Sequence, residues 1–249
     1  MLALGGSLSA SEVNGNDPLT TIERAKSAIV GVGTYDRTRT PAFAFKGTGF
    51  AVDDGTLIAT NAHVVAGVLN PARREVLGIL IPSREGATAQ FREATLAATD
   101  PVTDLALLKI GGTPLATLQI GDSDRVREGQ RVLFTGFPIG DVLGPFPATH
   151  GGMVAAITPI AIPQGRSADL DPKVIRRLAT GAFPVFQLDA TAYPGNSGSP
   201  VYEADTGRVL GVINMVFVKG TKEAMLAHPS GITFAVPAKY LQGLLQRTR

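Results

Sequence analysis

Cysteine is absent from the 249 residues. A disulfide framework, thiol catalysis and thiolate metal ligation are thereby excluded, and the compartment is left open. Histidine is scarce: His63, His150 and His228 lie far apart, none at helical spacing from another, so no zinc site is expected. No apolar run approaches the roughly 20 residues that span a bilayer as a helix. No Lys/Arg run exceeds a pair, and "ARRE" and "IRRL" read as solvated faces. With a formal net charge of only +2, no nucleic-acid partner is expected. No internal repeat is visible.

What is present points to a packed globular chain. The composition is 44% hydrophobic and 18% charged, enough for one large domain or two intimately packed halves. The 29 glycines and 17 prolines are spread along the chain and read as many turns rather than a disordered tail. The first ten residues, "MLALGGSLSA", are uncharged and mildly apolar. They lack the basic start and length of a secretory signal and are compatible with the remnant of one. Residues 1–18 read as a flexible lead-in to a domain over 19–249.

The segment "LTTIERAKSAIVGVG" reads as a short helix running into a strand. Short strand-like runs with turn punctuation follow. "GTGFAV" and "TLIAT" flank Asp54-Gly55, a two-residue hairpin signal. Further strand candidates are "EVLGILIP", "FREATLAATD", "LALLKI", "QRVLFTGFP", "GGMVAAITPIAI", "FPVFQLDAT", "PVYEADTGRVLGVINMVFV" and "GITFAVP". Such spacing without alternating long helices indicates an all-β barrel or sandwich. Two helices stand out: "PKVIRRLA" after the cap Asp171, and the C-terminal "PAKYLQGLLQRTR" with Leu241, Leu244 and Leu245 on one face.

Three stretches carry candidate chemistry. In "TAYPGNSGSPV" glycines and prolines crowd around Ser197 and Ser199; in "TNAHVV" His63 follows a strand end; in "TDLALLKI" Asp104 heads a strand. Each alone has an ordinary reading as a turn, a core histidine or a cap residue. Together they stand in the chain order His, Asp, Ser of the chymotrypsin-type triad, which differs from the subtilisin and α/β-hydrolase orders. A serine hydroxyl is a weak nucleophile at neutral pH unless a neighbouring imidazole takes its proton, and an aspartate on the other ring nitrogen fixes the tautomer.

On "GTGFAVDDGTLIATNAHVV", "DPVTDLALLKI", "IGDSDRVREGQRVLFTGFPIG", "DATAYPGNSGSPV" and "GITFAVPAKYLQGLL", the chain resembles the trypsin-like serine proteases, above all the HtrA/Deg protease domain. The resemblance runs from about Leu19 to Leu245. It implies an all-β fold of two six-stranded antiparallel β-barrels, chymotrypsin-like, with a C-terminal helix. The first barrel is expected over about 28–118, the second over about 119–236 and the helix over about 237–247. It implies a serine endopeptidase without cofactor or metal, acting on polypeptides through His63, Asp104 and Ser197. Gly195, Asn196 and Ser197 then form the oxyanion hole, with Gly195 and Ser197 donating and Asn196 shaping the turn.

The same resemblance places the pocket walls at Thr191, Ala192, Tyr193, Asn214, Met215 and Val216. No acid lies among these, which argues against a preference for Lys or Arg, and Val216 falls where an open pocket would favour glycine, so a small or medium apolar residue is expected before the scissile bond. Asp189 reads equally as support of the pocket loop or as a turn residue. Action on unfolded proteins, an extracytoplasmic location and assembly as a trimer are further expectations from the family. Departures are the lack of a PDZ module, a long stretch over 160–183 that is a candidate gate, and Ser199 where glycine is usual. "GNSGSP" is similar to the motif of glutamyl endopeptidases, and Ser199 has no assigned role. The competing reading is a silent or conditionally activated protease fold serving as a binding module.

Overall fold

The computed structural model describes residues 17–67, 75–82, 89–159, 183–215 and 231–248. The helix expected in "PKVIRRLA", the segment 160–182, Val216 and His228 lie outside the described residues.

Helix α1 (Pro18–Ala28) starts with proline in its first turn and buries Thr21, Ala25 and Ala28, a spacing that lines one helical face. It runs straight into β1 (Ile29–Tyr35). Five more strands complete the first barrel: β2 (Phe43–Val52), β3 (Leu57–Asn61), β4 (Val76–Ile81), β5 (Gln90–Asp100) and β6 (Leu105–Ile110). Their order is β1-β2-β3-β6-β5-β4, and β1 pairs with both β2 and β4 to close the ring.

The second barrel holds β7 (Arg131–Gly136), β8 (Ala148–Pro159), β9 (Pro184–Asp189), β10 (Pro200–Tyr202), β11 (Val209–Asn214) and β12 (Ile232–Pro237). Read from β7, its order is β7-β8-β9-β12-β11-β10, the same topology as the first. The chain thus repeats at the level of strand order, although no repeat is visible in its sequence. Closure leaves neither sheet with an open edge. Single helical turns α2 (Ala62–Val65) and α3 (Gly140–Leu143) interrupt the barrels, and α4 (Ala238–Gln246) packs Leu241 and Leu244 at their junction.

Core packing follows the period of two. On β6, Leu108 and Ile110 fill the first barrel while Leu105 and Leu107 face the cluster shared with α1, α4 and the second barrel. On β11 the phase slips: Val209 and Val212 face the shared cluster, Leu210 and Ile213 the second barrel. The cause is a bulge, because Tyr202 pairs with Val209 and Val201 with Gly211, leaving Leu210 as the extra residue.

Two local expectations change. The β2–β3 connection spans the four residues 53–56, since the ladder ends at the Val52–Leu57 pair. Asp53 and Gly55, not Asp54 and Gly55, take positive φ, and Gly55 N–H donates to Val52 O. The long candidate strand "PVYEADTGRVLGVINMVFV" is two strands, β10 and β11, because its Asp205–Gly207 centre turns the chain back.

Candidate active site

His63 and Asp104 meet because their strands are neighbours. Asn61 at the end of β3 pairs with Leu105 at the start of β6, so the residues just beyond both ends lie side by side. His63 sits in the single turn α2. Its backbone N–H donates to Asp104 Oδ1 at 2.9 Å, and its ring Nδ1 lies 2.6 Å from Asp104 Oδ2. The Asp104 backbone oxygen accepts from Ala62 N at 3.0 Å and from Asn61 Nδ2 at 3.1 Å.

Asp104 itself takes φ +57°, a strained conformation for a residue with a Cβ, and is 4% exposed. Five hydrogen bonds hold it there, the fifth from Asn214 Nδ2 to Oδ2 at 2.7 Å. Strain of this kind persists only where the surroundings over-determine it. The carboxylate accepts from Nδ1, so the ring proton sits there and the Nε2 lone pair is left as a base. The His63 side chain keeps 31% of its surface exposed, the Asp104 side chain 5%.

Ser197 stands in the second of two consecutive turns that share Asn196. Asn196 N–H donates to Tyr193 O at 2.9 Å, and Ser199 N–H to Asn196 O at 3.0 Å. In each turn the third residue is a glycine with positive φ, Gly195 at +101° and Gly198 at +87°. That is the position where a type II turn requires glycine. A Cβ on Gly195 would also run into Phe137 O, and one on Gly198 into Thr48 O.

Every carbonyl along this stretch is anchored. Pro194 O accepts from Ile139 N at 2.7 Å, Gly195 O from Thr48 Oγ1 at 2.7 Å, and Ser197 O from Thr48 N at 2.8 Å. Asn196 O is held by Ser199 N, as above. In a trans peptide the C=O and N–H point in opposite directions. Anchoring Pro194 O and Asn196 O therefore turns the N–H groups of Gly195 and Ser197 the other way. Neither N–H has a hydrogen-bond partner among the described residues. Two free, fixed donors beside a serine can stabilise an oxyanion. The Asn196 N–H is consumed by the turn, so Asn196 shapes the site rather than donating.

The first barrel brings the histidine to this turn. A Cβ on Gly47 would lie 2.8 Å from Ser197 O and 2.7 Å from Val64 Cγ2, so α2 and the serine turn meet over that glycine. Thr48, unnoticed in the sequence, is the central tether. Its hydroxyl donates to Gly195 O and accepts from Phe137 N at 3.0 Å.

The candidate pocket residues divide. Thr191, Ala192 and Tyr193 lead half-buried into the serine turn. Asn214 does not offer its side chain to a pocket: it is fully buried and turned onto Asp104. Met215 is 9% exposed within the second-barrel core. Asp189 ends β9 exposed, paired in the ladder with Ile232 and Met153. The Tyr193 ring lies 6.3 Å from that of His150, which stacks on Phe134 at 4.9 Å. Burial pushes the His150 pKa below its ordinary 6.5 by disfavouring the charged ring. Among the described residues no three His, Cys, Asp or Glu side chains gather as metal ligands, and no helix is long and apolar enough to cross a membrane.

Comparison with known proteins extends these observations. The family model described as "Trypsin-like peptidase domain" matches residues 47–212. A "Probable periplasmic serine endoprotease DegP-like" of Marinomonas sp. (strain MWYL1) is 30% identical over 203 residues, covering 82% of this chain and 35% of the relative. A protein of the same description from Rickettsia conorii is 31% identical over 212 residues, covering 85% and 35% respectively. The chain thus spans about a third of the length of these relatives. In overall fold it superposes on "HtrA-type protease AlgW with decapeptide" with a TM-score of 0.65 at 24% identity, over 93% of this chain and 67% of that one.

Proposed function

We propose, from the premise that this chain belongs to the trypsin-like peptidase domain family, that it is a serine endopeptidase whose nucleophile is Ser197. The observation that carries this reading is the double grip of Asp104 on His63, through both the backbone N–H and ring Nδ1, beside a serine turn with two free N–H groups.

The reaction proceeds in two halves. His63 Nε2 takes the Ser197 hydroxyl proton as Oγ attacks the scissile carbonyl carbon. The carbonyl oxygen becomes an oxyanion and receives the N–H groups of Gly195 and Ser197, each worth about 3 kcal/mol in the transition state. The carbon–nitrogen bond then breaks, the proton passes from His63 to the leaving amine, and an ester on Ser197 remains. Water attacks that ester with His63 again as base, which releases the carboxylic acid and restores the hydroxyl. Asp104 stays ionised throughout, orienting the ring and stabilising the imidazolium. Asn214 holds Asp104 Oδ2 from the second barrel, so the carboxylate is fixed from both sides.

The substrate class in this reading is polypeptide, with a small or medium apolar residue before the scissile bond. Support comes from the lack of an acidic side chain among Thr191, Ala192, Tyr193 and Met215. A location outside the cytoplasm follows the relatives named as periplasmic endoproteases, and action on unfolded chains follows the family resemblance alone. The test is a cleavage-site profile on a denatured protein mixture, with Ser197→Ala as control. Cuts after alanine, valine or leucine that vanish in the control are expected; a profile identical to that of Ser197→Ala would overturn the reading.

A further inference from the structure

Behind the serine turn lies a set of polar atoms that the reaction does not use. Ser199 Oγ and both side-chain polar atoms of Asn196, Oδ1 and Nδ2, are buried without a hydrogen-bond partner. Both residues are fully excluded from solvent. They converge over Gly136. A Cβ added there would collide with Ser199 Oγ and would lie 2.9 Å from Asn196 Oδ1 and 2.8 Å from Thr48 Oγ1. The missing Cβ is therefore what admits the Ser199 side chain. Buried polar groups are nearly always paired, so a small side-chain adjustment that brings Ser199 Oγ and Asn196 Oδ1 into hydrogen-bond geometry is favoured over leaving both orphaned.

We propose that Ser199 is a positioning residue: its hydroxyl, seated in the space over Gly136, hydrogen-bonds Asn196 Oδ1 and so clamps the peptide that carries the Ser197 N–H. The backbone of Asn196 is already tied at both ends, through its N–H to Tyr193 O and through its oxygen to Ser199 N. A third tie through the side chain fixes the rotation of the Asn196–Ser197 peptide, and with it the aim of one oxyanion donor. The role rests on the endopeptidase reading of the site. It differs from plain space-filling because it acts on the transition state rather than on substrate binding.

The test compares the parent with Ser199→Ala, Ser199→Gly, Gly136→Ala and the double variant Gly136→Ala/Ser199→Gly, on a peptide amide substrate and in thermal melts. Ser199→Ala is expected to lower kcat about tenfold with KM within about twofold, the pattern of a lost transition-state interaction. Gly136→Ala lowers the melting temperature through its collision with Ser199. The double variant recovers only part of the melting temperature, because Thr48 Oγ1 and Asn196 Oδ1 still crowd the new Cβ, and it keeps the kcat loss of Ser199→Gly. A Ser199→Ala enzyme with parental kcat, or a double variant with parental kcat, would overturn the proposal. Crystal structures of parent and Ser199→Ala judge the clamp independently of turnover. Oγ and Asn196 Oδ1 within about 3.0 Å in the parent, with Asn196 displaced in the variant, support it. An Asn196 side chain unmoved between the two overturns it. An inactive parent would sink the endopeptidase reading, and the crystal comparison would still decide whether the clamp exists.

Discussion

The Thr48 hydroxyl donates to the Gly195 carbonyl oxygen at 2.7 Å, from β2 of the first barrel to the serine turn of the second. The Thr48 hydroxyl oxygen in turn accepts from Phe137 N, and the Thr48 backbone N–H holds Ser197 O. One residue thus ties two points of the turn and the end of β7, and the geometry of the turn depends on how the two barrels dock.

Thr48→Val keeps the shape and removes the hydroxyl. It leaves Gly195 O and Phe137 N unpaired in a buried place, at a cost of about 1–3 kcal/mol each. We expect a lower melting temperature and a kcat reduced about tenfold or more with KM little changed, while Thr48→Ser retains most of the activity. Steady-state kinetics and melts on the two variants check this; equal kcat in Thr48→Val and parent would contradict it.

Asp104→Asn tests the tautomer. The amide would present either its NH2 toward His63 Nδ1 and Asn214 Nδ2, or an oxygen there with its NH2 facing the His63 backbone N–H, and a neutral group stabilises the imidazolium poorly. A kcat loss on the order of 10⁴ is expected, as when the orienting aspartate of such a triad is neutralised. A loss below tenfold would remove Asp104 from the mechanism.

The runs of apolar residues between turn signals made the strands legible, and the leucines of α4 made that helix so. The His, Asp, Ser order gave the candidate triad, because each residue falls at a strand end where short motifs are informative. What stayed hidden depends on distant pairs. Nothing local to Thr48 announces a bond to Gly195, and Asn214 reads as a pocket wall until the docking of the two barrels turns it onto Asp104. Only a short turn separates β10 from β11, so the two read as one run. The shared topology of the barrels is a property of strand order, which sequence likeness need not reflect.

His150 predicts a pH-dependent stability. Its folded pKa lies below 6.5 because burial disfavours the charged ring. Below about pH 6.5 the unfolded chain takes up a proton that the folded one refuses, so stability falls as pH falls through that window; above it the group contributes nothing. His150→Phe, which preserves stacking on Phe134, should flatten this limb. The melting temperatures of parent and variant should diverge from pH 7 down to pH 5 and run parallel above pH 7.5. Parallel curves throughout would exclude the effect.

Gly195→Ala combines a backbone penalty with a collision. Leaving φ near +101° costs about 1–2 kcal/mol for an alanine, and the Cβ runs into Phe137 O. The turn must shift, and the Gly195 N–H shifts with it. A kcat lower by about 10² or more is expected from the loss of one oxyanion donor. Unchanged kcat would mean that this N–H does not face the reacting oxygen.

The central claim, that Ser197 is a nucleophile activated by His63 and Asp104, is tested most directly with an organophosphorus probe and peptide mapping by mass spectrometry. The account predicts one adduct per chain, on Ser197, formed at least about 10³-fold faster in the parent than in His63→Ala. No adduct in the parent, or an adduct at any other serine, Ser199 included, would contradict it.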